Sequence, residues 1–155
     1  MYDMSRSTRP PSLMALPSYL ASYVARYGRQ LLQDDLDDRA LHLVHNAVLT
    51  ALNDFGPLSQ QQLADALRMD KSHLVRHIDL LEERGYIRRA PDADDRRRYR
   101  VTLTGSGVAL VTELGTIARR SQQQFLGTLN ADEQDTLITL LHRVLVANDA
   151  EPQER

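Results

Sequence analysis

The most specific chemistry in the chain gathers at the start of one predicted helix, in Lys71, Ser72, His73, Arg76 and His77. Leu74, Ile78 and Leu81 recur at spacings of four and three and form that helix's buried stripe, which leaves the polar residues on its exposed amino-terminal turns. From there Arg76 can donate two parallel hydrogen bonds to guanine O6 and N7. Ser72 and His73 can reach base edges or phosphates, and Lys71 suits a phosphate. A second group, Asp95, Arg96 and Arg97, marks the tip of a predicted hairpin. An Arg projecting from such a tip can enter a narrow, A·T-rich minor groove. Asp95 is expected to hold a guanidinium beside it through a bidentate pair. Each group alone reads as a solvated surface; their adjacency favours double-stranded DNA as the partner.

The charge pattern agrees, although the net formal charge is only -2. Arg84, Arg88, Arg89, Arg96, Arg97, Arg98 and Arg100 crowd into one stretch opposed by Asp92, Asp94 and Asp95, while Asp34, Asp35, Asp37 and Asp38 cluster elsewhere. A basic lobe on a mildly acidic body still binds phosphate. The absence of cysteine excludes disulfides, thiolate metal sites and thiol redox switches. His42 with His45, and His73 with His77, have spacings that suit Zn²⁺, but neither pair has an obvious third or fourth ligand nearby. A zinc-responsive regulator is therefore the alternative reading. Another is a winged-helix module that binds proteins rather than DNA, which would not require Arg76 and Arg97 to be exposed together. No Gly-rich phosphate loop, nucleophile elbow or catalytic carboxylate pair is present, so neither enzymatic activity nor a cofactor is expected. No apolar run reaches membrane-spanning length and no signal-peptide pattern opens the chain, so a soluble, cytoplasmic protein without a membrane partner is expected.

The elements that must position these groups are mainly helical. Residues 1–15 read as a flexible arm. Residues 16–53 carry two helices, one with Leu20, Val24, Tyr27 and Leu31 on a face, the next with Leu41, Val44, Val48 and Leu52, separated by an interruption at Asp34 to Asp38. Residues 54–104 form a winged helix-turn-helix lobe. Ser59 with Gln62 is a capping box, Asp70 caps the recognition helix, and Gly85 stands where a C′ residue belongs. The strands of the wing lie at Tyr86 to Arg89 and around the alternating Tyr99, Val101 and Leu103, joined by a loop that begins at Ala90. Residues 105–147 hold two long helices, the second capped by Asn130 with Glu133, and residues 148–155 a flexible tail. Gly105, Ser106 and Gly107 are expected to weaken the first turn of the helix they open. The fold class is thus mainly α with a small β-hairpin wing. Apolar stripes on the terminal helices outnumber the surfaces one short chain can offer them, which points to a homodimer on a pseudo-palindromic site.

Four pieces between Ser72 and Thr104 carry a resemblance: the S-x-L-V-R opening at Ser72, Leu74, Val75 and Arg76, the L-E-E-R-G close ending at Gly85, the D-R-R tip at Asp95 to Arg97, and V-T-L-T at Val101 to Thr104. Their types and spacing resemble the MarR family of winged-helix regulators, and especially its SlyA-like branch, over about Pro17 to Ala147. The resemblance implies that positions 72, 73 and 76 touch the major groove and 96 or 97 the minor groove. It implies dimerisation through the first helix and the last two, and repression relieved by a small aromatic or phenolic effector. The walls of that effector site would include Tyr23, Tyr27, His42 and His45; the plainer reading of the two histidines is a core role. Gly105-Ser106 departs from the helix formers the family favours there.

Overall fold

The computed structural model describes residues 9–150. Residues 1–8 of the expected arm and 151–155 of the expected tail lie outside the described residues. The chain runs through α1 (Pro11–Met14), α2 (Pro17–Asp37), α3 (Leu43–Phe55), α4 (Gln60–Leu67), α5 (Lys71–Glu83), β1 (Ile87–Pro91), β2 (Tyr99–Leu103), α6 (Gly105–Phe125) and α7 (Ala131–Ala150). It is mainly α with one antiparallel hairpin, in which Ile87 pairs with Leu103 and Pro91 with Tyr99.

Local chemistry sets the boundaries of the lobe. Ser59 Oγ accepts the Gln62 amide at 3.1 Å and Gln62 Oε1 accepts the Ser59 amide at 2.9 Å, closing the capping box of α4. Arg68 then takes a left-handed conformation, φ 53°, and turns the chain into α5. Asp70 caps α5 by accepting the Ser72 amide at 2.8 Å. The core lies where α3, α4, α5, the hairpin and α6 meet. Val48 and Leu49 of α3, Leu63 of α4, Leu74, Ile78 and Leu81 of α5, Ile87, Val101 and Leu114 all fall almost wholly out of solvent. Leu58 and Val101 exchange both backbone hydrogen bonds, at 3.1 and 2.7 Å, and fasten the wing to the segment before α4.

The structure departs from the sequence expectation in several places. The acidic patch does not interrupt a helix: α2 continues to Asp37. Carboxylates are unfavourable at a helix C-terminus, and side chains offset this here. Gln30 donates to Asp34 at 2.7 Å, Gln33 donates to Asp37 at 2.6 Å, and Arg120 approaches Asp35 at 3.6 Å. Within the expected arm, Pro11–Met14 forms a helical turn, and α7 runs to Ala150, past the expected start of the tail. Tyr99 is exposed while Val101 is buried, so the alternation of β2 fades as the strand leaves the lobe.

Gly107 reverses the expectation of a weak first turn in α6. Thr104 Oγ1 caps that turn, accepting the Gly107 amide at 3.1 Å and donating to the Gly85 carbonyl at 2.6 Å. A Cβ on Gly107 would stand 2.0 Å from the Tyr86 carbonyl oxygen, so only glycine lets the helix start this close to the recognition helix's exit. Gly115, on the same helix, would place a Cβ 3.7 Å from the Arg119 guanidinium, an ordinary contact. Gly107→Ala should therefore lower unfolding free energy by about 2 kcal/mol or more. Gly115→Ala should raise it by up to about 1 kcal/mol. Urea titrations of both variants check this; equal effects of the same sign would contradict the close approach.

Candidate nucleic-acid interface

The stripe Leu74, Ile78 and Leu81 turns α5 so that Lys71, Ser72, His73 and Arg76 face solvent on its first turns. Ser72 is partly committed to the cap, since its hydroxyl donates to the Asp70 carboxylate. That bond, with the amides of Ser72 and His73, holds the Asp70 carboxyl below the usual carboxylate range. Arg76 Nη2 donates to His73 Nδ1 at 2.9 Å. Because a guanidinium can only donate, His73 Nδ1 is the acceptor in this bond.

The structure takes His77 away from this group. Its ring is half-buried and turns towards α3, where His77 Nδ1 lies 3.0 Å from His45 Nε2. His45 in turn accepts the His42 amide at its Nδ1, at 2.9 Å. The two histidine pairs, separate in the sequence, thus form one line of rings, with centroid separations of 5.4 Å for His42–His45, 4.9 Å for His45–His77 and 5.2 Å for His73–His77. Among the described residues no group of three or more His, Cys, Asp or Glu side chains is arranged to hold a metal ion. His45 Nδ1 faces a backbone amide, His45 Nε2 and His77 Nδ1 face each other, and His73 Nδ1 faces Arg76. Burial, then His77, His42 and Arg84, lowers the His45 pKa to about 4. Burial, then His73, Arg76 and His42, lowers that of His77.

The wing is braced at its base and open at its tip. Arg100 pairs with the buried Asp92 and donates to the Pro57 carbonyl at 3.2 Å, and Asp92 also accepts the Asp94 amide at 2.8 Å. At the tip the expected partner of Asp95 changes. Its carboxylate accepts the Arg97 backbone amide at 3.0 Å and approaches the Arg98 guanidinium at 3.6 Å, with no bidentate pair to Arg96 or Arg97. Asp95 shapes the turn, and the guanidinium groups of Arg96 and Arg97 pair with no carboxylate among the described residues.

One residue that the sequence did not single out joins the two surfaces. Arg89 of β1 pairs with both Asp79 and Glu82 of α5, and its amide donates to Glu82 at 2.8 Å. These contacts tie the wing to α5. Only the long arginine stretch signalled Arg89, and nothing in it distinguished a brace from a phosphate contact.

The four expected effector-wall residues fall into two clusters. Tyr27 accepts a hydrogen bond from Arg9 at 2.8 Å, and the Arg9 guanidinium lies 4.3 Å from the Tyr23 ring centre. His45 meets α5 through His77 instead, with His42 beside it. An apolar cleft of about 410 Å³ opens between α2, α6 and α7, lined by residues including Val24, Phe125, Leu126, Leu137 and Leu141 and by none of the four.

The family model described as MarR family matches residues 41–99, from the α2–α3 corner into the wing. The HTH-type transcriptional repressor NicR of Pseudomonas putida is 31% identical over 119 residues, which are 77% of this chain and 75% of NicR. The chain belongs to the MarR family. Solved relatives within it share the architecture. The reduced form of E. coli MarR superposes with a TM-score of 0.76 at 27% identity, covering 84% of this chain and 96% of that one. Bordetella bronchiseptica BpsR, solved to describe regulation of its DNA binding by 6-hydroxynicotinic acid, gives 0.75 at 27% identity over 97% and 99%. A cysteine-to-serine mutant of E. coli MarR complexed with operator DNA gives 0.75 at 25% identity over 89% and 99%.

The low pKa of His45 couples this MarR-family lobe's stability to pH. A histidine whose folded pKa lies below its unfolded value binds more protons when unfolded. Its contribution is complete above about 6.5, declines as pH falls and is gone below about 4. Urea titrations should show unfolding free energy falling by about 1–3 kcal/mol between pH 6.5 and 4.5. A flat profile across that interval would contradict a neutral, buried His45.

Proposed function

We propose that the chain is a transcriptional repressor that binds double-stranded DNA as a homodimer and is released by a small aromatic or phenolic acid. The observation that carries the reading is the joint exposure of Arg76 on α5 and Arg96 and Arg97 on the wing, with Arg89 bracing the two elements. In this reading Lys71, Ser72, His73 and Arg76 meet the major groove and its phosphates, and Arg96 or Arg97 the minor groove. His77 supports the helix from behind. The regulators NicR and BpsR, and MarR bound to operator DNA, are what this chain is similar to, and they support repression, an aromatic acid effector and operator binding respectively.

Residues 54–104 serve as the DNA lobe, and residues 16–53 and 105–147 as the dimer body. Support for the second copy comes from apolar surface that one chain leaves open. α7 buries none of its residues, and Ile138, Val144 and Leu145 are 58, 63 and 59% exposed. Leu16, which precedes α2, and Val24 of α2 are open as well. The cleft beside α7 suits an aromatic ring better than the divided tyrosine and histidine clusters do. The placement in the SlyA-like branch rests on the Ser72–Thr104 motifs alone. No described helix is long and apolar enough to cross a membrane.

Arg76→Ala should lose about 1–3 kcal/mol of discrimination at one base position per half-site, measured as the ratio of cognate to scrambled affinity. An unchanged ratio would make Arg76 a phosphate contact or a bystander. Replacing Arg96 and Arg97 together with Ala should weaken binding to every sequence and flatten its salt dependence. The log–log slope should fall by ~0.9 for each phosphate no longer neutralised. A protein-binding module without DNA affinity would show no salt-dependent DNA binding for these substitutions to change.

A further inference from the structure

We propose that His45 and His77 are positioning residues for DNA binding, joined by an imidazole–imidazole bond that sets the recognition helix against α3 only while both rings are neutral. The proposal rests on the DNA-binding reading above. Its basis is the order of donors and acceptors along the line of rings. The His42 amide can only donate, so His45 Nδ1, 2.9 Å away, must accept and the proton of neutral His45 sits on Nε2. Nε2–H then donates to His77 Nδ1 at 3.0 Å, which leaves the His77 proton on its own Nε2. That atom is buried and has no hydrogen-bond partner among the described residues. One backbone amide thus fixes both tautomers.

An added proton cannot be accommodated in this arrangement. Placed on His77 Nδ1, it faces the His45 Nε2 proton. If His45 shifts its proton to Nδ1 to relieve that contact, the new N–H faces the His42 amide. Either way two donors oppose each other in a buried seam. The surroundings offer little compensation. His42 lies on the α3 side, His73 and Arg76 on α5 and Arg84 just past its end, and all four act on the pair to keep it neutral. At the α2–α3 corner Arg39 is paired with Glu113 of α6, and the carbonyls of Arg39 and Ala40 accept from Arg84 at 3.2 and 3.0 Å. Protonation of the pair therefore loosens the middle of α5 from α3, one residue beyond Arg76.

Asparagine places its side-chain oxygen near the position of an imidazole Nδ1, so His77→Asn keeps an acceptor for His45 and cannot be protonated. His77→Leu removes the bond. Affinity for a genome-selected fragment would be measured with the full chain at about pH 7 and about pH 5, with chelator present and folding monitored by circular dichroism. Wild type should lose at least about threefold more affinity on acidification than His77→Asn does. His73 is present in both proteins, its ring centroid 5.2 Å from that of His77 in wild type. His77→Leu should bind more weakly at pH 7 and show no excess acid loss. Equal acid losses in wild type and His77→Asn would overturn the proposal. Long-range ¹H–¹⁵N spectra of the free wild-type protein test the same bond without DNA: protons on Nε2 of both His45 and His77 are expected, and a proton on His45 Nδ1 would overturn it. A protein with those tautomers and no DNA affinity at either pH would refute the DNA-binding reading and, with it, the role assigned to the pair.

Discussion

The recognition helix can present its first turns to a groove only if something rigid holds its other faces, and in this chain that support is a three-residue stripe. Leu74, Ile78 and Leu81 are wholly buried against α3, α4 and the root of the wing. Burying side chains of this size contributes roughly 1.5–3 kcal/mol each, so the stripe dominates the energetics of so short a helix. Its direction also decides the chemistry. Rotating α5 by one residue position would swing Arg76 towards the core and bring a leucine to the surface. Every polar feature of the lobe is arranged around that fixed orientation: the Asp70 cap at one end, Arg84 on the α2–α3 corner at the other, and Arg89 across to the wing.

Arginine has two separate uses in the lobe, and burial separates them. Arg89 and Arg100 are drawn in against Asp79, Glu82 and Asp92, where they fasten strand to helix and strand to loop. Arg96 and Arg97 stand beyond the paired part of the hairpin on a turn that Asp95 ties through its bond to a backbone amide. A charge held in a salt bridge has little left to offer a phosphate, whereas an unpaired guanidinium on a braced turn gives up little freedom when it meets one. A further acidic cluster, Asp34, Asp35, Asp37 and Asp38, lies apart from the lobe at the end of α2.

Features governed by neighbours in sequence were legible before the structure. Ser59 with Gln62, Asp70, the leucine stripe of α5 and the Val101 strand all rest on spacings of four residues or fewer. What remained hidden depends on long-range geometry. His45 and His77 are 32 positions apart and meet only because α3 and α5 pack side by side. Arg89 reads as one basic residue among many until its two carboxylate partners on α5 are seen. Gly107 looks like a weak helix start because propensity ignores the Tyr86 carbonyl that a side chain would strike. The acidic end of α2 looks like a break for the related reason that glutamine and arginine partners, some of them distant in sequence, offset an unfavourable local charge.

In the proposed function two copies of this lobe grip DNA through α5 and the wing. Hydroxyl-radical footprinting of a genome-selected fragment tests it most directly. Two protected half-sites centred about 34 Å, or one helical turn, apart are expected, with flanking minor-groove protection that disappears when the wing arginines are removed. A single protected patch, or protection unchanged by loss of those arginines, would contradict it.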